Sequence, residues 1–237
     1  MTIDELHELA ANRRTIRGFK KDKDVPDEYI RKILDVARWA PSGGNGQPWE
    51  FIVIRDAAKR EGIVEFFRKQ QVPKLEMERA MGRPSMASGA GFRYASVFIL
   101  VLGDPRVKDS YPIRTREEKA FQHLITGLAN SVLLIHLAAA SLGLASQYVS
   151  DASSPYMAIM LKTFLGIPDN LMVYELIPIG YAAKPFPVPP RRPLDEIVHY
   201  EVYDMKKART DDDVKKFLLT MTRIGGYGRK TKRPEHI

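Results

Sequence analysis

The stretch that most constrains the fold is Ala129–Ala140, which is apolar on nearly every side when drawn as a helix. A helix without a polar face must be enclosed by other elements, so the rest of the chain is expected to pack round it. The pattern predicts this helix from about Arg116 to Leu142, with Gly143 just past its C-terminus. His123 and His136 lie on it. Neither has an acidic or thiol partner three or four residues away, so both are expected to be structural, and no metal site is expected.

The surrounding elements follow from periodicity and stop signals. Residues 3–12 read as a short helix with Thr2 as N-cap and Asp4 and Glu5 in the first turn. Pro26 opens a second helix, whose apolar stripe is Ile30, Ile33, Leu34 and Ala37. It ends near Trp39-Ala40, because Pro41 disfavours α geometry in the residue before it. Phe51–Ile54 reads as a buried strand, 57–71 as a charged helix, and Tyr94–Leu102 as a strand buried on both faces. Leu144–Ser150 is a short strand or extended loop, Pro155–Leu165 a helix ended by Gly166, and Leu171–Ile179 another strand. Residues 197–203 alternate as an edge strand would, and 214–224 suit a short helix. Residues 72–93 carry Met77, Met81 and Met86 among Gly82, Pro84, Gly89 and Gly91. They read as a mobile helix-and-loop segment, either a lid over a pocket or plain core filling.

Composition excludes several kinds of chemistry. There is no cysteine, so disulfides, thiolate catalysis and zinc–thiolate sites are ruled out. The N-terminus is acidic with no apolar run behind it, so no signal peptide is expected. Ser96–Leu102 and Leu133–Ala140 are too short to span a bilayer, and a soluble, cytoplasmic protein is expected. The formal net charge of +8 admits a solvated basic surface, arginines around an anionic ligand, or nucleic-acid binding. Arg223, Arg229, Lys230, Lys232 and Arg233 around Tyr227 are where nucleic acid would bind. The single aromatic and the lack of a recognisable module argue instead for a tail that wraps a partner subunit or stays flexible.

No nucleophile elbow, Walker loop or dinucleotide fingerprint occurs. What remains is a pair of basic clusters, Arg13-Arg14-Thr15-Ile16-Arg17 and Arg191-Arg192, and an uncharged loop, Ala40-Pro41-Ser42-Gly43-Gly44-Asn45-Gly46-Gln47-Pro48-Trp49. In an extended segment Arg13, Thr15 and Arg17 share one face, a good phosphate contact, although a solvated basic turn has the same composition. The loop can bring its backbone close to a flat ligand, while Trp49 suits core packing. Flavin mononucleotide (FMN) fits a ring that needs close backbone contact and a phosphate that needs arginine. It would also explain why no catalytic acid or base stands out.

These motifs, with Leu142-Gly143-Leu144, Gly180-Tyr181 and Arg191-Arg192-Pro193-Leu194, resemble the nitroreductase family of FMN flavoproteins in order and spacing from about residue 10 to 203. The loop is the most specific of them. The resemblance implies an α+β fold, a mixed, mostly antiparallel sheet flanked by helices, in an intertwined homodimer with FMN at the interface. It implies one FMN-binding domain over residues 1–204 and a basic extension over 205–237. Arg13, Arg14, Thr15 and Arg17 would contact the phosphate, the ribityl chain and the N1/O2 edge, with Arg17 stabilising charge at N1. Pro41, Ser42, Gly43, Asn45 and Gln47 would serve the flavin of the other subunit. Arg191 or Arg192 would complete the phosphate site, and Ser150, Asp151 and Ala152 would lie near N5 and O4. Ser150–Ser154 departs from the glycine-containing run more common there. The implied activity is ping-pong electron transfer from NADH or NADPH to a small aromatic acceptor such as a nitroaromatic or quinone. The family also contains reductive dehalogenases of halogenated phenols and flavin-modifying enzymes. A flavin-binding protein without turnover and a nucleic-acid-binding protein are the readings outside it.

Overall fold

Thr2 caps the first helix, α1 (Ile3–Asn12), through a reciprocal pair of hydrogen bonds with Glu5, which satisfies two amide donors that the helix itself leaves unpaired. This computed structural model describes residues 1–82, 90–186, 188 and 191–224, with side chains as far as Leu219 in the last helix. Pro84, Met86 and Gly89, and the side chains of Arg223, Tyr227, Arg229, Lys230, Lys232 and Arg233, lie outside the described residues. The chain divides into two compact units, Met1–Pro73 with Gly89–Phe186, and Lys74–Ser88 with Pro187–Ile237.

In the first unit, α2 (Asp27–Ala37) buries Ile30, Ile33 and Ala37, with Pro26 as N-cap rather than first helical residue. Strand β1 (Trp49–Ile54) follows. It is less buried than its apolar sequence suggests: Trp49 and Ile54 are inside, while Val53 is 40% exposed. The reason is position, since among the described residues β1 is an edge strand with a neighbour on one side only. Helix α3 (Ala57–Ala80) runs on past the expected end through Pro73. Strand β2 (Val97–Gly103) is buried along its whole length. Helix α4 (Ile113–Ser141) precedes β3 (Ala145–Ser146), α5 (Pro155–Leu165) and β4 (Met172–Gly180). Gly143 and Gly166 take the left-handed conformation that glycine accepts without strain after a helix.

The four strands form one antiparallel sheet in the order β1-β2-β4-β3. A single parallel bridge, Thr15 to Ser146, adds the segment after α1 to its edge and makes the sheet mixed. Helices and antiparallel sheet together give the expected α+β architecture. Two apolar clusters fill it. One gathers Phe67, Phe92, Phe98, Leu100, Met157, Leu161 and Leu176. The other gathers Ile33, Trp49, Val101, Leu128, Ile135 and Ile177.

Helix α4 corrects two expectations. Taken whole, it is long and apolar enough to cross a membrane by length and composition, unlike the shorter stretch weighed above. It packs Leu124, Leu128, Val132 and Ile135 into the core instead. It is not enclosed on every side either: Phe121 is 62% and Leu133 51% exposed, and Ala129 between them is exposed too. Eight and four residues apart, these lie on one face of the helix and form an uncovered apolar stripe.

In the second unit, α6 (Asp211–Ile224) begins with three aspartates, which suit the positive end of a helix dipole. The edge strand expected over 197–203 does not form. The segment is bends and unpaired chain, with Glu201 at φ 62°, a value incompatible with a regular strand.

Candidate functional site

The arginine segment is pinned to the sheet edge. The Ile16 amide donates to the Ser146 carbonyl at 2.9 Å, and Ile16 itself is buried, so its neighbours are held in extended backbone. Arg13, Arg14, Thr15 and Arg17 are all partly buried. Arg14 turns back to donate to the carbonyls of Ala11 and Arg13, at the C-terminal end of α1. The backbone of Arg17 lies against Gly91: a Cβ at residue 91 would sit 2.0 Å from the Arg17 carbonyl oxygen. Only glycine fits there.

Ser150, Asp151 and Ala152 form a 3-10 turn three residues beyond β3. Val149 bridges to Leu176 of β4, which fixes where that turn begins. Six residues of chain, 144–149, thus carry the arginine segment on one side and lead into the turn on the other. Asp151 is fastened by Gln71 of α3, whose amide donates to its carboxylate at 2.9 Å, and the Gln70 amide reaches the Ser154 hydroxyl at 2.6 Å.

The loop is carried elsewhere. The Asn130 side chain donates to the Pro41 carbonyl at 2.9 Å, and Ser42 and Pro48 close over Gly127 of α4. The Gln47 amide donates to the Ser42 hydroxyl at 3.0 Å. Gly44, Asn45 and Gln47 have φ of 55°, 52° and 44°. Left-handed backbone at two non-glycine residues is a cost that surrounding contacts must offset, and such strain gathers at functional sites. Gly43 lies against His123: an added Cβ would come 2.9 Å from its Nδ1. His123 thus has the structural place expected of it, under the loop. Trp49 packs in the core.

Within one chain the loop and the arginines are not brought together. The loop sits at Gly127 and the arginine segment beside Ser146, which is hydrogen-bonded to His136 at 2.7 Å. Nine residues of helix separate Gly127 from His136, about 13 Å along its axis. Arg191 and Arg192 belong to the second unit. There Arg192 reaches the Glu196 carboxylate at 3.5 Å and its carbonyl at 3.0 Å. A surface pocket of about 360 Å³ between Glu50, Ile52, Arg106 and Leu171 contains none of the expected site residues.

Sequence reasoning missed a buried polar cluster beside β3. Glu175 of β4 is 1% exposed, and burial pushes its carboxyl up to about 8. His136 is 4% exposed; burial first, then the charge of Arg13, pushes it down to about 4. Its ring stacks on Tyr148 with centroids 5.8 Å apart. The signal was present as one charged residue inside the apolar run Leu171–Ile179. Among the described residues no group of three or more acidic or histidine side chains could hold a metal.

Comparison with known proteins agrees with this architecture. The family model "Nitroreductase family" matches residues 10–181. An Archaeoglobus fulgidus protein, provisionally named an NADH dehydrogenase/NAD(P)H nitroreductase, is 30% identical over 203 residues, covering 85% of this chain and 93% of its own. An iodotyrosine deiodinase solved with FMN and 3-iodo-L-tyrosine is 25% identical with a TM-score of 0.63, over 84% of this chain and 100% of that one. The NADPH:FMN oxidoreductase of Vibrio harveyi shares the fold at 20% identity and a TM-score of 0.67, over 92% of this chain and 85% of that one. The chain belongs to the nitroreductase family.

Proposed function

We propose that this protein is an FMN-dependent oxidoreductase that passes electrons from NADH or NADPH to a small aromatic acceptor, such as a nitroaromatic or quinone. The observation that carries the reading is the placement of the arginine segment and the Ser150–Ala152 turn at one sheet edge, joined through residues 144–149. The residues fit FMN. Three partly buried guanidinium groups within five residues supply charge for a phosphate, and the close approach of Gly91 holds their backbone in place. Arg13, Arg14, Thr15 and Arg17 hold the phosphate, ribityl chain and N1/O2 edge, with Arg17 stabilising negative charge near N1. Ser150, Asp151 and Ala152 orient the N5 and O4 side. Arg191 or Arg192 adds a further phosphate contact. Bound FMN would supply the hydride chemistry, in ping-pong order between the two substrates.

Pro41, Ser42, Gly43, Asn45 and Gln47 serve the flavin of a second subunit. The distance along α4 between loop and arginine segment supports this, and so does the uncovered stripe Phe121–Ala129–Leu133, an apolar surface for a homodimer. On this reading residues 1–204 form the FMN-binding domain, and 205–237 are a basic extension to it. The location is cytoplasmic. Neither membrane nor nucleic acid is a partner.

The test is anaerobic titration of purified protein with NADH and NADPH, followed by a panel of nitroaromatic, quinone and halophenol acceptors. The expected result is a yellow protein bleached by one or both donors and reoxidised by nitroaromatics or quinones. Reoxidation only by halophenols, with release of halide, would move it to the reductive dehalogenases, the class of its iodotyrosine deiodinase relative. A colourless protein that oxidises neither donor would sink the proposal.

A further inference from the structure

Glu175 has no place in the site described above, yet it sits in the middle of β4, 1% exposed in a strand otherwise without charge. The strand is bulged at this point. Val101 pairs with Glu175 and Leu102 with Val173, so Tyr174 is the extra residue. A bulge re-aims the side chains around it and is common beside active sites. The hydroxyl of Tyr148 and the backbone at Val149 and Leu176 lie beside the carboxyl group, and its Oε1 has no hydrogen-bond partner.

Among the described residues, few other titratable groups act on Glu175 or Tyr148, and Lys162 of the adjoining helix α5 is turned to the Asp169 carbonyl instead. Tyr174 shares a hydrogen bond with Tyr148. Asp151, on the 3-10 turn, is tied to Gln71 of α3. His136 of α4 is stacked on Tyr148 and feels the charge of Arg13. Strand β2 opposite brings only apolar side chains. None of these is a cation placed on Glu175. A buried carboxylate without one is costly, so the group stays a neutral acid near pH 7 and keeps a proton it can give. Tyr148 is held above the ordinary phenol range by burial and then by Glu175, so it stays protonated as well. Tyr148 is 41% exposed, so the pair leads from the core to the surface where the Ser150–Ala152 turn begins.

We propose that Glu175 and Tyr148 form a proton relay serving the reduction of the acceptor. This rests on the oxidoreductase reading, and it assigns the acceptor to compounds whose reduction consumes protons along with electrons. Reduction of a quinone to a hydroquinone takes two electrons and two protons. NAD(P)H supplies a hydride, so one proton must come from elsewhere. The Tyr148 O–H bond breaks as its proton passes to the acceptor oxygen. The Glu175 O–H bond breaks as its proton passes to the Tyr148 oxygen, which leaves a carboxylate. Water at the exposed side of Tyr148 returns a proton along the same path, and the burial of Glu175 favours that return. Glu175 acts through Tyr148 as the proton store.

The test is single-turnover reoxidation of NAD(P)H-reduced protein by p-benzoquinone between pH 6 and 9.5, with infrared detection of protonated carboxyl groups. In the wild type the rate should fall about tenfold per pH unit above the ionisation of Glu175, as for a required general acid. Glu175→Gln and Tyr148→Phe should each be about tenfold slower or more at pH 7, with that inflection gone. A protonated-carboxyl band at pH 7 should vanish in Glu175→Gln. If that variant does not fold, Tyr148→Phe carries the test, because its side chain reaches the surface. A yellow, reducible protein whose pH profile and rate are unchanged in the variants overturns the relay and leaves the oxidoreductase reading standing. So does a wild type without the band. A protein that binds no FMN overturns both.

Discussion

At the scale of single residues, three positions make testable demands on the fold: a close contact at Gly91 and two buried titratable groups, Glu175 and His136. Gly91 is fixed by contact rather than by dihedral angle, since its neighbour is the Arg17 backbone and cannot swing aside. Gly91→Ala should therefore displace the arginine segment, destabilise the fold by about 1–3 kcal/mol as overpacking does, and weaken FMN binding, measured by urea denaturation and by flavin fluorescence. Glu175 and His136 set a pH dependence of stability with opposite signs. Glu175 is raised from 4.5 to about 8, so its contribution is complete below 4.5 and is lost as pH rises through 8. His136 is lowered from 6.5 to about 4, so its contribution is complete above 6.5 and is lost as pH falls through 4. Of the two, only Glu175 changes between pH 6.5 and 8, and its contribution should fall by about 1.4 kcal/mol per pH unit. Glu175→Gln should flatten that window in urea unfolding of the flavin-free protein; an unchanged slope would refute the assignment.

At the scale of elements, α4 has two jobs. Its inner face is core, and Leu128, fully buried and close to Gly103, is a keystone of it. Leu128→Ala should cost about 2–5 kcal/mol, the usual range for a buried leucine, read by the shift of the unfolding midpoint. The proposed homodimer uses its outer stripe as the docking face, so Leu133→Glu should convert that dimer to a monomer in sedimentation while leaving the helical signal in circular dichroism intact. A variant that sediments like the wild type would put the interface elsewhere. The periodicity of α4 was legible in the sequence, as were α1, α2, α5 and the strands β2 and β4. Two other features were not: that α3 continues through Pro73, and that 197–203 is not a strand. In both, the local signal (a proline, an alternating run) was overridden by context that lies outside the window being read.

At the scale of the whole molecule, the proposed site needs two chains. Mixing tests this directly. Arg17→Ala and Gly43→Asp homodimers should each fail to hold FMN, one lacking the charge and the other driving a side chain into His123. Unfolded and refolded together, they should recover about a quarter of the wild-type flavin sites, because half of the random dimers are mixed and each has one intact site. No recovery would place loop and arginines in a single-chain site.

The sequence by itself determined the α+β elements, the glycine-rich loop and the arginine cluster, because helix period, strand alternation and turn chemistry are local and a sharp motif needs no partner to be recognised. Only the tertiary structure decided what those pieces face. It set Arg13–Arg17 against Ser146, put the Pro41–Gln47 loop on the middle of α4, and left one side of that helix bare. It also turned Glu175 from one charge in an apolar run into a buried acid beside Tyr148. Burial and charge proximity depend on residues distant in sequence, so no reading of a local window contains them.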